Sequence, residues 1–358
     1  TGDVTISAAN TTDAQVEAKA KAGSAGDTGV GVSVGLNIAV DNDTRALIGD
    51  GATLTLGKDV TLSATGSHVV NTTAEGGGKS AKDTGVGGAL ALTVADNETE
   101  ARIGTGTGLV VAGKVGVTAT DHGARATTAK GDGTGSSTAV GVAIALGLVD
   151  DSAIATTARD ITADGAVSFT ASADGSSKSE AKASAEGADK SKEDAKGNKT
   201  ADDQSKSAAG LATQQSGETK SVDKKASTDD GESGSTGDGS VGVGAALALN
   251  VATSVADASI GGGLTIIAGQ DAGTGEFKLL SENNMDASAI ADGSAAKGKT
   301  DTAVGIAIAL NIANMQNHAG VGASTVTADG VSVQALMKDA GDKTHKFAAK
   351  AISGASGD

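Results

Sequence analysis

Acidic side chains that recur about one repeat apart are the first residues in this sequence that could do chemistry. Asp41 and Asp43 follow one apolar segment, and Asp96 and Glu98 follow the next. Carboxylate oxygens are the ligands that calcium prefers, so these four residues are the candidate calcium ligands. The Gly-Gly-x-Gly-x-Asp nonapeptide of calcium-binding rolls is absent, and the acidic positions change from copy to copy. We therefore expect Asp and Asn here to act mainly as turn residues, and no other cofactor is indicated.

Histidine is the second residue type that could bind a metal or transfer protons. Four are present, and His68 and His122 lie 54 residues apart, which is close to one repeat. This spacing predicts that they occupy neighbouring positions on adjacent turns of a repeat fold. Two imidazoles without thiolates form a poor metal site, so solvated strand positions are the favoured interpretation.

The sequence contains no grouping of residues that indicates catalysis. Enzymes built on β-helices use clustered carboxylates or basic residues in a groove, and they hold sugars on aromatic side chains. This chain has no Trp and no Tyr, and its His and Arg residues are scattered. We predict that it is not an enzyme and assign no catalytic residue.

The composition limits both the core and the partners. Cys, Pro, Trp and Tyr are absent, Phe occurs three times, and Gly supplies 54 of 358 residues. A core of Val, Ile, Leu and Ala must be thin to reach close packing, which favours an elongated fold over a compact one. The net charge of −16 argues against nucleic acid and anionic membrane surfaces as partners. The longest apolar run, residues 303–313, is too short to span a bilayer, so direct membrane insertion is not expected.

A repeated motif organises the chain. The copies begin 56, 54, 103 and 61 residues apart. They occupy residues 30–38, 86–94, 140–148, 243–251 and 304–312. The longer third interval indicates an insertion of nearly fifty residues in the third unit. Because Thr1 falls in the middle of a unit, we expect the chain to be a segment of a longer polypeptide that continues into further repeats or stacks end to end.

Strict alternation within each motif predicts a β-strand. In the last copy Val304, Ile306, Ile308 and Leu310 share one face, and Ala and Gly share the other. We expect the large aliphatic face to form the core, stacked over its equivalents in the preceding unit, and the Ala/Gly face to lie flat against a second layer. Polar corners are predicted at residues 41–44, 96–99, 150–152 and 314–317.

Two further strand patterns complete the unit. Leu54, Leu56, Val60 and Leu62 are predicted to face the core, with a break at residues 57–59. In residues 14–21, Ala and Val alternate with Gln, Glu and Lys, which places the small residues inside.

These patterns predict an all-β, right-handed parallel β-solenoid of tandem repeats of about 55 residues, with one polar inserted arm. Solenoid repeats are expected at residues 1–174 and 241–358. Residues 175–240 form the arm, because their low hydrophobicity and dense mixed charge are typical of disorder. A two-layer sandwich of antiparallel hairpins is the alternative. Whether one repeat makes one wide coil or two narrower coils stays open at this point.

The Val-Gly-x-Ala-x-Ala-Leu-Asn-x-Ala motif of residues 304–313, followed by the Asp-Gly-Val-x-Val-x-Ala strand of residues 329–335, resembles the large filamentous adhesins of bacteria. The similar families are the leukotoxin-family filamentous adhesins and the haemagglutinin-type giant repeat proteins. The resemblance covers all the repeat regions. It implies export, a long rod at the bacterial cell surface, and a role in adhesion or in building an extracellular matrix or biofilm. It implies no catalytic residue.

Two functions follow from the resemblance and the repeats. The first is a structural segment of a secreted or surface-bound adhesin, whose partners are other copies of itself and host or neighbouring cells. The alternative is a subunit of a self-assembling extracellular fibre that stacks end to end, with association also possible side by side.

Overall fold

The computed structural model describes residues 2–24, 26–54, 58–80, 82–187, 241–270, 275–295 and 302–355. Within these ranges the chain is all β, and its strands form three parallel sheets. The polar-faced sheet contains β1 (Val4–Ser24), β3 (Val60–Ser80), β6 (Val115–Gly135), β9 (Val167–Gly187), β12 (Glu276–Ala295), β15 (Gly330–Met337) and β16 (Phe347–Ile352). The aliphatic-faced sheet contains β2 (Thr28–Ile48), β4 (Thr84–Ile103), β7 (Thr138–Thr157), β10 (Val241–Ile260) and β13 (Thr302–Val321). The short sheet contains β5 (Leu109–Val111), β8 (Ile161–Ala163), β11 (Thr265–Ala268) and β14 (Thr325–Thr327).

Each repeat makes one wide turn, or rung, of a parallel β-solenoid. Val4 pairs with Val60, and Val60 pairs with Val115, so a strand lies directly beside its equivalent one repeat later. A repeat therefore supplies one long strand to each large sheet and a short strand between them. This settles the question of one coil or two, and the parallel pairing excludes antiparallel hairpins for the strands described. The right-handed winding stays a prediction.

The predicted polar corners are wrong, because those residues lie inside long strands. Residues 96–99 belong to β4 and residues 150–152 to β7. Among the residues predicted as corners, Asp41 alone has a positive φ, of 58°, at the point where the pairing register of β2 and β4 shifts. The side chains bond between rungs instead of to their own backbone, since Asn42 Nδ2 donates to Asn97 Oδ1 at 2.9 Å. A turn does occur beside the short sheet, where Gly51 adopts φ of 72°.

The predicted core face of the repeated motif is also wrong. Val304, Ile306, Ile308 and Leu310 lie on the outside of β13, and the Ile308 side chain is 56% exposed. The predicted stacking is correct in register, because Ile308 pairs with Leu247 and its neighbours pair with Val243 and Leu249. The small residues point inward, and a cluster made only of alanines joins the two large sheets.

Close approach of the two large sheets explains why the small residues of the motif, and not the large aliphatic ones, face the core. A Cβ added to Gly76 of β3 would overlap the carbonyl oxygen of Gly88 in β4 and lie 2.9 Å from that of Gly31 in β2. The backbones therefore meet almost directly, and a Val or Leu on this face has no space. The expectation of a thin core is confirmed here, although Ala and Gly form it instead of Val, Ile and Leu.

The interior widens toward the short sheet, where larger side chains fill it. Leu62, Ile161, Phe169 and Phe277 are fully buried in this part of the core. The inward positions predicted for Val60 and Leu62 are confirmed, and Leu54 packs partly buried against the same cluster. The alternation predicted for residues 14–21 is also confirmed by the burial pattern of β1. Leu56 lies outside the described residues.

The first residues assigned to the arm are part of a strand. Residues 175–187 continue β9, so they belong to the solenoid, while residues 188–240 lie outside the described residues. After these residues, β10 pairs in register with β7, with Val243 beside Val140. The repeats before and after the insertion therefore form one continuous stack. Among the described residues, no helix is long and apolar enough to cross a membrane.

Candidate functional surfaces

The four candidate calcium ligands lie on the outer surface of the aliphatic-faced sheet, where an arginine already neutralises two of them. Arg45 Nη1 is 2.6 Å from Asp43 Oδ2, and its Nη2 is 3.1 Å from Glu98 Oε1. Asp41 and Asp96 are exposed on the same side of the strands. Within the described parts of the chain, no three His, Cys, Asp or Glu side chains converge in a way that could hold a metal ion. Calcium binding therefore stays a prediction without geometric support.

The two histidines that share repeat spacing do not stack. His122 pairs with Ser67, and His68 pairs with Gly123, so the two imidazoles are offset by one residue. Because side chains alternate between faces, His122 is exposed and contacts Asp174 Oδ2 at 2.5 Å, whereas His68 is fully buried. The solvated position expected for both holds for His122 and is wrong for His68.

His68 is part of a charged cluster enclosed between the two large sheets. Its Nε2 is 3.6 Å from Asp121 Oδ1, to which the Thr99 hydroxyl donates a hydrogen bond of 3.0 Å. Burial, together with the Asp151 carboxylate, raises the pKa of Asp121 to about 8. Burial and the nearby Arg125 lower the pKa of His68 to about 4. Both side chains are therefore uncharged in the folded protein near neutral pH.

An ion pair forms the second half of this cluster. The Arg125 guanidinium binds both carboxylate oxygens of Asp151, with Nη2 2.5 Å from Oδ1. Asn97 Nδ2 also donates to Asp151 Oδ1, at 2.7 Å, and this amide receives the hydrogen bond from Asn42. The cluster thus links three rungs. Each of its ionisable side chains is at least 97% buried, so no dissolved substrate reaches them, and we interpret the cluster as structural.

Arg159 also binds main chain across rungs. Its guanidinium and Nε donate hydrogen bonds to the carbonyl oxygens of Gly49, Ala52, Gly104 and Thr105, at distances between 2.5 and 3.0 Å. These carbonyls belong to the two preceding repeats, at the turn beside the short sheet. One buried side chain therefore satisfies four carbonyl groups and ties three rungs together. The sequence contained no motif from which this role could be predicted.

The most distinctive outer surface is the aliphatic face, formed by the outward side chains in the first half of the aliphatic-faced sheet. It comprises Val30, Val32, Val34, Leu36, Ile38, Val40, Val86, Leu90, Leu92, Val94, Val140, Val142, Ile144, Leu146, Leu148, Val241, Val243, Leu247, Leu249, Val251, Val304, Ile306, Ile308, Leu310 and Ile312. From strand rise and strand spacing it extends about 33 Å along the strands and about 24 Å across five rungs, or about 800 Å². The largest apolar patch on an ordinary monomer covers roughly 300–600 Å². A surface of this size indicates an interaction site.

The two ends of the aliphatic face differ in charge. At the end toward the strand carboxyl termini, Asp96 of β4 and Asp150 of β7 are paired and exposed, and Asp41 lies beside them on β2. At the other end, Thr28, Thr84 and Thr138 occupy equivalent positions on the same strands, and the exposed Asp27, Lys82 and Asp83 lie just before the first two. Desolvation and the neighbouring Asp96 raise the pKa of Asp150, as expected for carboxylates on adjacent strands.

The opposite outer surface of the solenoid is polar. On β3 the outward positions include Thr61, Ser63, Asn71 and Thr73, and on β1 they include charged residues. The solenoid therefore has one aliphatic and one polar side. No family model, curated protein or solved structure matches the chain.

Proposed function

We propose that this chain is a non-catalytic structural segment of a secreted or cell-surface bacterial filamentous adhesin, in which it forms part of a rigid shaft for adhesion or matrix building. The observation that carries the proposal is the continuous register, since successive repeats add rungs to the same two large sheets from β1 to β15. An architecture of this kind extends by repetition and has no need of a cleft.

The interior supports the same proposal. Alanine and glycine join the sheets at near-contact distance, and amide, hydroxyl and guanidinium groups bond from rung to rung. A shaft must resist bending between neighbouring repeats. Interactions that connect successive rungs supply that resistance, whereas the enclosed charged cluster offers no surface for chemistry.

A displayed-chain experiment tests the proposal. Bacterial cells that carry the chain on a surface anchor should attach to a host-cell layer, or to one another, more than cells that carry the anchor alone. Unchanged attachment together with unchanged cell clumping would contradict the adhesive or matrix-building role.

Chains with four extra copies of residues 84–137 should be longer by about 19 Å in small-angle scattering, because each rung adds about 4.8 Å.

End-to-end assembly into a fibre is the second candidate. It is favoured by the near-identity of paired strands, such as β10 and β13, where Leu249 lies beside Leu310 and Asn250 beside Asn311. A strand that pairs in register with its own repeat can also pair with that repeat in a second chain. Negative-stain imaging over a range of concentrations distinguishes the candidates, since filaments that lengthen with concentration indicate the fibre.

A further inference from the structure

We propose that the aliphatic face is an interface between two copies of this chain, which pack face to face about a two-fold axis parallel to the direction in which the rungs stack. The inference goes beyond the proposed shaft, because it concerns how two shafts combine. It does not depend on what the shaft binds.

The area of the face fits a second copy. Stable protein interfaces bury about 800 Å² on each partner, which is the size of the aliphatic face. The largest exposures occur on its outer strands, with Ile38 of β2 62% exposed and Ile308 of β13 56% exposed. The whole face, from one edge strand to the other, is thus available to one flat partner.

The chemistry of the face also favours another β-sheet. Its side chains are Val, Ile and Leu without a polar group, and they form a lattice with about 4.8 Å between rungs that is interrupted only where Gly88 and Ala245 flank Val142. Two such lattices interdigitate at the spacing of about 10 Å that is usual for packed sheets. Val and Ile are stiff at χ1, so they lose little rotamer entropy on association. An identical sheet is the partner that matches the lattice in both spacing and chemistry.

The charges at the two ends select the orientation. A two-fold axis along the strands would place the row containing Asp41, Asp96 and Asp150 against the same row of the partner, where like charges repel. An axis along the stacking direction places that row against the threonine end, near Thr84 and Thr138, where Lys82 accompanies the exposed Asp27 and Asp83, so fewer uncompensated carboxylates meet. In the second arrangement the strands of the two copies run antiparallel to each other, while the rungs of both solenoids stack in the same direction.

Ile144 provides the decisive substitution, because it lies at the centre of the middle strand β7 and therefore meets its own copy near the two-fold axis. Ile144→Glu would place two carboxylates in contact within the interface. Thr128→Glu is the matched control, since Thr128 is a half-buried outward residue in the middle of β6 on the polar side. Ile308→Glu, at a more exposed position on β13, serves as a second variant if Ile144→Glu does not fold.

Sedimentation equilibrium of the full chain tests the interface. We expect a dimer whose dissociation constant rises at least tenfold in Ile144→Glu or Ile308→Glu and is unchanged in Thr128→Glu. The proposal would be overturned by a chain that stays monomeric over a 100-fold range of protein concentration centred on ~1 µM. A dimer that these glutamate substitutions do not weaken would also overturn it. So would a monomer that binds neutral phosphatidylcholine vesicles through this face, because lipid would then be its partner.

Single cysteines test the orientation, since the natural chain has none. A mixture of Val140→Cys and Leu148→Cys chains should form the mixed disulfide under oxidation, because the proposed axis brings these two ends of β7 together. Preferential Leu148→Cys homodimers would show that the axis lies along the strands and would refute the same-direction arrangement.

Discussion

Gly76 and Gly77 offer the sharpest test of how the two large sheets meet. They are neighbours on β3, but Gly76 faces the opposite sheet and Gly77 faces outward. A Cβ at position 76 would overlap the carbonyl oxygen of Gly88, whereas at position 77 the nearest atom is the Ala20 carbonyl oxygen at 3.9 Å. The same change, Gly→Ala, therefore meets a barrier at one position and open space at the other.

The magnitude follows from the nature of the obstacle. Overpacking in a core costs about 1–3 kcal/mol when side chains can adjust. The carbonyl oxygens of Gly88 and Gly31 that face position 76 belong to the backbone, so the sheets themselves must separate. A gap of about 1 Å forfeits up to half of the dispersion energy of each contact between them. We expect Gly76→Ala to destabilise the fold by about 3 kcal/mol or more. Gly77→Ala should stabilise it by about 0.4–1 kcal/mol, because it restricts the unfolded chain.

Urea unfolding followed by far-ultraviolet circular dichroism measures this difference. Solenoids often unfold in more than one step, so hydrogen exchange of β3 and β4 should be measured alongside it. The Gly76→Ala chain should show the lower urea midpoint and faster exchange in these two strands. Equal midpoints for the two alanine variants would refute the close contact between the sheets.

Three other substitutions test the interior. Arg159→Met should lower the free energy of unfolding by about 3 kcal/mol, since it takes a charged donor from four carbonyl groups and backbone N–H groups still serve only those of Gly49 and Thr105; urea midpoints measure this. Phe169→Ala should cost about 3–5 kcal/mol through a cavity in the wide part of the core, and a cost below 1 kcal/mol would contradict its complete burial. Stability should also depend on pH. Asp121 has a raised pKa in the folded state, so its contribution declines from about pH 4 to 8, while the lowered pKa of His68 gives an opposite rise between about pH 4 and 6.5. The two effects offset one another up to about pH 6.5, and the net decline of roughly 1 to 2 kcal/mol up to pH 8 should become smaller in Asp121→Asn. Burial also raises the pKa of Asp151, so this neighbouring carboxyl retains part of the decline.

Much of the architecture could be predicted from periodicity. Alternation with period two indicates strands because successive side chains point to opposite faces, and the near-constant repeat length indicates stacked turns. The register of the motif copies was also predictable, since Ile308 lies beside Leu247 as the alignment of repeats requires. Residues 175–187 were assigned wrongly because their polar composition resembles the insertion, although they pair along β9 with β6 and β12.

The buried polar groups were harder to predict. Asp121 and Arg125 occur in a polar stretch that looks like an outer strand, and only the facing strand supplies the partner Asp151. Asn and Asp at residues 41–43 and 96–97 have the composition of turns. Asn42 and Asn97 form a ladder with Asp151 because an amide or carboxyl side chain occupies this position on successive rungs, and that proximity exists only after the rungs have stacked.

The sequence by itself determined that this chain forms strands with one aliphatic and one small-residue face, repeated about every 55 residues, and it favoured their parallel stacking. It did not determine which face is the core, because both faces of the motif are apolar and alternation is symmetric between inside and outside. The tertiary structure decided this through the separation of the two sheets. Gly76 and Gly88 bring the backbones into contact, so only Ala and Gly fit between them, and Val, Leu and Ile are left on the outer surface.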